Sequence, residues 1–159
     1  MSLIYRPETP DDESFVRTLL VETLTEQLAA WSWPECLRQP LLETQYQVRR
    51  QGFRGRGDSS IIVLDGDKPV GWYVTVESAD EVRLVNIMVL AQHRGQGIGS
   101  TVLHKLLAAA SAAGKPLRLA VASNNGRALQ LYERLGFQRI GGDEAQHCME
   151  HPPGGRDAS

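Results

Sequence analysis

The chain has 159 residues, with 17 Lys and Arg against 19 Asp and Glu and a formal net charge of -2. That length predicts one compact unit, and the charge balance excludes a nucleic-acid coat or a polybasic membrane anchor, both of which bind through excess positive charge. With 42% hydrophobic and 23% charged residues there is material for a core, and no apolar run approaches the roughly 18 residues of a spanning helix. Arg6, Asp11, Asp12, Glu13 and Arg17 argue against a secretory leader. Cys36 and Cys148 lie far apart and outside any Cys-x-x-Cys pair, and they read as reduced thiols of a cytoplasmic protein. His147 and His151 bracket Cys148 on an expected strand rather than a helix, so no metal site is expected.

Leu3 to Arg6 reads as an opening strand. Thr9-Pro10-Asp11-Asp12 predicts a helix start: Thr9 can accept from a free N–H, Pro10 suits the first turn, and the acids complement the positive helix end. Phe15, Leu19, Leu20, Leu24 and Leu28 recur at helical spacing until Trp31-Ser32-Trp33-Pro34 breaks it. A second helix is predicted from about Pro40 to Gln51, with Arg49 and Arg50 near its negative end. After the glycine-rich stretch Gly52 to Asp58 the texture changes. Ile61 to Leu64, Pro69 to Val76 and Val82 to Leu90 read as three successive strands, joined by turns at Asp65-Gly66-Asp67 and Ser78 to Asp80.

From Gly99 the pattern is helical again, with Val102, Leu103, Leu106, Leu107 and Ala110 on one stripe that ends at Gly114 and Pro116. Leu117 to Ala122 is a brief strand, Asn124 or Asn125 caps a helix carrying Leu129, Leu131 and Leu135, and Gly136 stops it. Phe137 to Ile140 and His147 to Glu150 are the last two strands expected. Residues 1–151 read as one domain and 152–159 as a disordered tail. This order predicts an α/β (or α+β) protein with a mixed central sheet.

The most informative stretch is Gln92-His93-Arg94-Gly95-Gln96-Gly97-Ile98-Gly99-Ser100, between an apolar strand and an amphipathic helix. Alternate glycines let backbone N–H groups face outward, and a helix start adds unpaired N–H groups and partial positive charge; together they suit a pyrophosphate. A nucleotide-triphosphate loop would need Gly-x-x-x-x-Gly-Lys-Ser/Thr, and a dinucleotide site Gly-x-Gly-x-x-Gly with an acid further on. The sequence has neither: no such lysine follows, and Lys115 to Ala122 contains no acid.

With Arg-x-x-Gly-x-Gly at Arg94 to Gly99, strand Asn86-Ile87-Met88-Val89, Asn124-Asn125 and the block Leu131-Tyr132-Glu133-Arg134-Leu135-Gly136-Phe137, the sequence resembles the GCN5-related N-acetyltransferases, the GNAT enzymes. The likeness runs from Pro69 to about Glu150, and the turn and the second block together are its specific part. It implies a largely antiparallel sheet of six to seven strands with about four helices, splayed between the fourth and fifth strands. It also implies acetyl-CoA as cosubstrate, an amine-bearing small molecule or a protein or peptide amine as acceptor, and a homodimer as a common state.

The same resemblance implies residue roles. The diphosphate would lie on the backbone of Gly95, Gln96, Gly97, Ile98, Gly99 and Ser100, beside Arg94. The pantetheine arm would pair like an added strand with Ile87, Met88 and Val89, an amide ligand held by main-chain bonds. Asn125 would contact the cofactor, cap a helix, or do both. Tyr132, seven residues on and so on the same helix face, would be the general acid to the CoA thiolate, or else an aromatic core residue beside Leu131 and Leu135. A backbone N–H near Val89 would stabilise the tetrahedral oxyanion.

Only a neutral amine attacks a thioester. For a lysine-like amine at pH 7, about 3.4 units below its pKa, deprotonation costs about 4.6 kcal/mol, and for an α-amino group about 1 kcal/mol. The family's usual carboxylate positions hold Arg83 and Ala120 here. Glu81 shares the strand parity of Arg83, and Glu77 lies at the hairpin; either could act through water, or serve as a solvated turn acid. Two further readings stay open, a CoA-binding sensor without turnover and an acyltransferase for a longer acyl-CoA. Trp31 and Trp33 could wall the acceptor site or pack their loop, and Arg49, Arg50, Arg54 and Arg56 read as a solvated basic face.

Overall fold

Strand β1 (Leu3–Pro7) opens the chain and a 3-10 turn, Pro10–Asp12, leads from it into helix α1 (Glu13–Ala29). The structure is a computed structural model that describes residues 2–29, 35–52, 59–123 and 125–153. The turn is built where expected, with Thr9 as its N-cap. The Thr9 backbone N–H donates to Asp12 Oδ2 at 2.9 Å, and Arg6 Nη1 donates to the same oxygen at 2.7 Å. Both bonds to the ionised carboxylate are charge-assisted on the acceptor side.

Helix α2 (Glu35–Gly52) begins five residues before the expected start and carries Pro40 inside it. Pro40 sits in its second turn, past the N–H groups that lack helical partners, so it removes one bond from the helix ladder. Strands β2 (Ser59–Asp65), β3 (Lys68–Glu77) and β4 (Val82–Val89) follow. Then come helix α3 (Ile98–Ala112), strand β5 (Leu117–Ala122), helix α4 (Gly126–Arg134) and strands β6 (Gln138–Gly142) and β7 (Gln146–His151). Of the expected tail, residues 154–159 lie outside the described residues, as does Asn124. Among the described residues no helix is long and apolar enough to cross a membrane.

The strands form one seven-stranded sheet in the order β1-β2-β3-β4-β5-β7-β6. β1 pairs antiparallel with β2 from Leu3↔Asp65 to Pro7↔Ile61, and β5 with β7 from Leu117↔His151 to Ala122↔Gln146. β4 and β5 are parallel, which requires the crossover that α3 supplies. Their ladder runs through Val82↔Leu117, Arg83↔Arg118 and Leu84↔Leu119.

The described residues gather into two compact units, within 1–74 with 87–96 and within 75–86 with 97–159. In the first, Val16, Leu19 and Leu20 of α1 and Tyr46 of α2 pack with Ile62, Leu64, Trp72, Val74 and Met88. Trp72 is wholly buried and donates its indole N–H to Ser60 Oγ at 2.7 Å. β3 is buried without interruption from Val70 to Val74, as a strand covered on both faces must be. In the second unit the apolar stripe of α3 (Ile98, Val102, Leu103, Leu106, Ala110) is buried, as are Leu117, Leu119 and Val121 of β5.

Candidate functional site

Met88 is buried on β4, its sulfur accepting from Thr23 Oγ1 at 3.7 Å. Ile87 and Val89 flank it half-buried. β3 approaches this stretch closely because residue 71 is a glycine: a Cβ there would stand 3.0 Å from the Met88 carbonyl oxygen. The chain then leaves β4 through a 3-10 turn, Ala91–His93. Two α1 carboxylates four residues apart, and so on one helix face, hold that turn. Glu22 accepts from the Ala91 N–H at 3.1 Å, and Glu26 accepts from Arg94 Nη1 at 2.8 Å. Arg94 Nε donates to the Val89 carbonyl at 3.3 Å, so the arginine clamps both sides of its own turn. A groove of about 510 Å³ lined by Arg17, Thr18, Val21, Glu22, Thr25 and Glu26 runs along the same helix.

Gly95 and Gly97 take φ values of 80° and 84°, the left-handed region that other residues enter at a cost of about 1–2 kcal/mol. This conformation turns successive N–H groups outward. Gly97 is the N-cap of α3 and no side chain caps that end. Its carbonyl accepts from Thr101 N at 3.0 Å and from Thr101 Oγ1 at 2.8 Å, fixing the first turn while leaving the initial N–H groups without helical partners. A Cβ at Gly95 or at Gly99 would meet nothing within 4 Å. Buried Ile98 anchors the turn from beneath. The arrangement fits a diphosphate: open space, outward donors and the positive end of a 15-residue helix.

Asn125 is the N-cap of α4, its Oδ1 accepting from Ala128 N at 3.3 Å. The cap falls to Asn125 rather than to Asn124. Tyr132, about two turns further along, is 7% exposed, and its ring lies 5.5 Å from that of Phe137. Phe137 in turn stands edge-on to His151 at 5.5 Å. Burial pushes the Tyr132 phenol above its ordinary pKa, so it keeps its proton at neutral pH. Among the described residues its hydroxyl has no hydrogen-bond partner.

Glu81 lies between two arginines: Oε2 accepts from Arg83 Nε at 3.0 Å and Oε1 from Arg118 Nη1 at 2.9 Å. Partial burial by itself would raise its pKa, but the bonds and charges of Arg118 and Arg83 outweigh burial and hold it below the usual carboxylate value. Arg118 also donates to Glu150 at 2.6 Å, directly across the β5–β7 ladder. Glu77 accepts from Lys115 Nζ at 2.7 Å. Trp31, Trp33, Arg54 and Arg56 lie outside the described residues, and Arg49 and Arg50 fall in the last turns of α2. Sequence reasoning missed Glu22, Glu26 and Arg118. The four-residue spacing of the two glutamates was a usable signal; the partner of Arg118 was not, because β7 meets β5 only in the folded sheet.

The acetyltransferase (GNAT) family matches residues 21–137. Over 69 residues the chain is 43% identical to the thialysine N-epsilon-acetyltransferase of Bos taurus, a match covering 43% of this chain and 41% of that one. The chain thus spans less than half the length of that relative. In structure it resembles the PaiA N-acetyltransferase of Thermoplasma acidophilum crystallised in complex with coenzyme A, with a TM-score of 0.74, 17% identity and coverage of 96% and 99%. It also resembles a mutant spermidine/spermine N-acetyltransferase of Vibrio cholerae, with a TM-score of 0.65, 17% identity and coverage of 99% and 98%. These two likenesses show the shared fold. Because the family match takes in both the glycine turn and the Leu131–Phe137 block, and covers well over half of the residues, this chain belongs to the GNAT acetyltransferase family.

Proposed function

We propose that the chain is an acetyl-CoA-dependent N-acetyltransferase acting on a primary amine by direct attack through a tetrahedral intermediate. The observation that carries this reading is the turn from Gly95 to Ser100, with two left-handed glycines, open space at Gly95 and Gly99, and a helix start without a side-chain cap. In the proposal these N–H groups receive the diphosphate, with Arg94 holding the turn rather than the ligand. The backbone of Ile87, Met88 and Val89 receives the pantetheine amides, and Asn125 caps α4 with Oδ1 while its NH2 group serves the cofactor. Tyr132 protonates the departing thiolate. The buried phenol is protonated at neutral pH and so has a proton to give.

The acceptor is a primary amine. The named activities of the thialysine and spermidine relatives support a small cationic amine as its first candidate. Glu81 is a poor proton acceptor while both arginines hold it, so deprotonation is proposed to run through water, with Glu81 and Glu77 as the carboxylates to be tested. The whole catalytic unit is proposed to lie in one domain, residues 1–151, working in the cytoplasm and able to form a homodimer.

The test is release of free thiol from acetyl-CoA across a panel of amines, with calorimetry of coenzyme A alongside. Heat on binding with thiol release is the expected result. Binding without release from any amine would favour the sensor reading, to which the occupied state of Glu81 lends support. No binding at all would overturn both.

A further inference from the structure

The turn proposed to receive the diphosphate contains little that fixes its own shape. Gly95 and Gly97 stand at φ values of 80° and 84°, and glycine enters that region about as readily as its mirror image, so neither residue by itself sets where its N–H points. On the helix side, buried Ile98 anchors the turn. On the strand side lies the 3-10 turn Ala91–His93, and Leu90 at its N-cap position makes no side-chain cap. What holds that side comes from α1.

Glu22 Oε1 accepts from the Ala91 N–H at 3.1 Å, a donor that opens the 3-10 turn and so has no helical partner. Glu26 Oε2 accepts from Arg94 Nη1 at 2.8 Å, and the same guanidinium donates through Nε to the Val89 carbonyl at 3.3 Å. Both ends of the segment 91–94 are thereby tied to one face of α1, across 69 and 68 residues of chain. Charge alone does not account for two carboxylates here, because like charges repel and a diphosphate is an anion. Nor does global stability: Glu26 is 52% and Arg94 30% exposed, and ion pairs that open to water add little to it. What the two bonds do fix is the placement of the segment that leads into Gly95.

We infer that Glu22 and Glu26 are positioning residues for the cofactor: acting through Ala91 and Arg94, they hold residues 91–94 so that the N–H groups of residues 95–100 are aimed before the diphosphate arrives. This rests on the proposed function, from which it takes the place of the diphosphate. A turn ordered in advance loses less freedom on binding, so its ligand is held more tightly. The two glutamates touch neither the cofactor nor the amine, and their effect is confined to binding of the diphosphate.

The experiment compares wild type with Glu22→Ala, Glu26→Ala, the double alanine variant, and the double variant Glu22→Gln with Glu26→Gln. It measures coenzyme A binding by calorimetry, thermal melting, and thiol release to one amine from acetyl-CoA and from acetyl-pantetheine, which lacks the diphosphate. The double alanine variant is expected to bind coenzyme A about tenfold more weakly and to show the same rise in KM for acetyl-CoA. Its kcat should stay within about twofold, as loss of uniform binding requires, and so should kcat/KM for acetyl-pantetheine. Glutamine keeps an oxygen that accepts from the Ala91 N–H and from Arg94, so the glutamine variant is expected to recover most of the affinity. The single alanine variants carry the same comparison should the double one melt early. If the alanine variants bind coenzyme A as wild type does, or more tightly as charge repulsion alone would have it, the inference is overturned and the acetyltransferase reading stands. A loss shared equally by acetyl-pantetheine, or not recovered by glutamine, overturns it as well. If wild type itself gives no heat with coenzyme A, the proposed function fails and the inference falls with it.

Discussion

Glu81 and Arg118 are joined by an ion pair of 2.9 Å, and the same glutamate receives Arg83 at 3.0 Å on its other oxygen. Both oxygens are thereby engaged in charge-assisted bonds that favour the ionised form. Glu81→Gln is therefore expected to leave the acid-side limb of the pH–rate profile in place, and to lower stability by about 1 kcal/mol through loss of a half-buried pair. Denaturant unfolding and a pH–rate series on one amine measure the two effects. Loss of the rising acid-side limb in Glu81→Gln, or in Glu77→Gln, would identify a carboxylate base.

Tyr132→Phe removes a hydroxyl but keeps the ring against Phe137. If the hydroxyl is the general acid, kcat should fall by about 100-fold or more, within the range usual for a positioned proton donor. The dissociation constant of acetyl-CoA should stay within about twofold, since the phenol is asked to act on the leaving thiolate rather than to bind. A variant with unchanged kcat would return Tyr132 to the status of a core aromatic.

Gly99→Ala separates stability from ligand binding. Gly99 lies in the first turn of α3 at an ordinary φ, and a methyl group there meets nothing within 4 Å. Alanine should stabilise the helix by about 0.5–1 kcal/mol. The same methyl group would occupy the space proposed for the diphosphate, so coenzyme A affinity is expected to drop by tenfold or more by calorimetry. A rise in melting temperature with undiminished affinity would mean that the diphosphate lies elsewhere.

Gly71→Ala acts from the other side of β4. Its Cβ would come within 3.0 Å of the Met88 carbonyl oxygen, a backbone atom that moves only with its strand. Overpacking of this kind costs about 1–3 kcal/mol, so the melting temperature should fall by several degrees. Binding of acetyl-CoA should weaken as well if Met88 lies in the strand segment that pairs with the pantetheine arm.

Asp12 carries the clearest acid dependence. The bond from Arg6 is the largest cause holding its carboxyl at about 2; burial opposes this, and the Thr9 N–H and the Arg6 charge add to it. Because the folded pKa lies below the unfolded one, the stabilisation is full above about pH 4 and is lost as pH falls through about 2. Asp12→Asn should cost about 2 kcal/mol at pH 7, and the gap from wild type should close near pH 2. Urea midpoints from pH 2 to 7 measure it, and a constant gap would show that Asp12 acts by shape alone.

The periodicities determined the element order in advance: a helix-spaced run from Phe15, three β-branched runs, and an apolar stripe from Val102 to Ala110 were each set by local spacing, and each became the element it predicted. The glycine turn was equally legible, because positive φ and an uncapped helix start follow from Gly95 and Gly97 themselves. Where α2 begins was not legible, since a proline near a helix start can mark either the first turn or the second. Which ionised groups meet was decided only by tertiary structure. Glu22 and Glu26 find the turn at residues 91–94, and Arg118 finds Glu81 and Glu150, across separations of 32 to 69 residues. Local spacing fixes which face a side chain takes, but only the pairing of distant strands and helices fixes what it faces, and so which acid is bound in an ion pair.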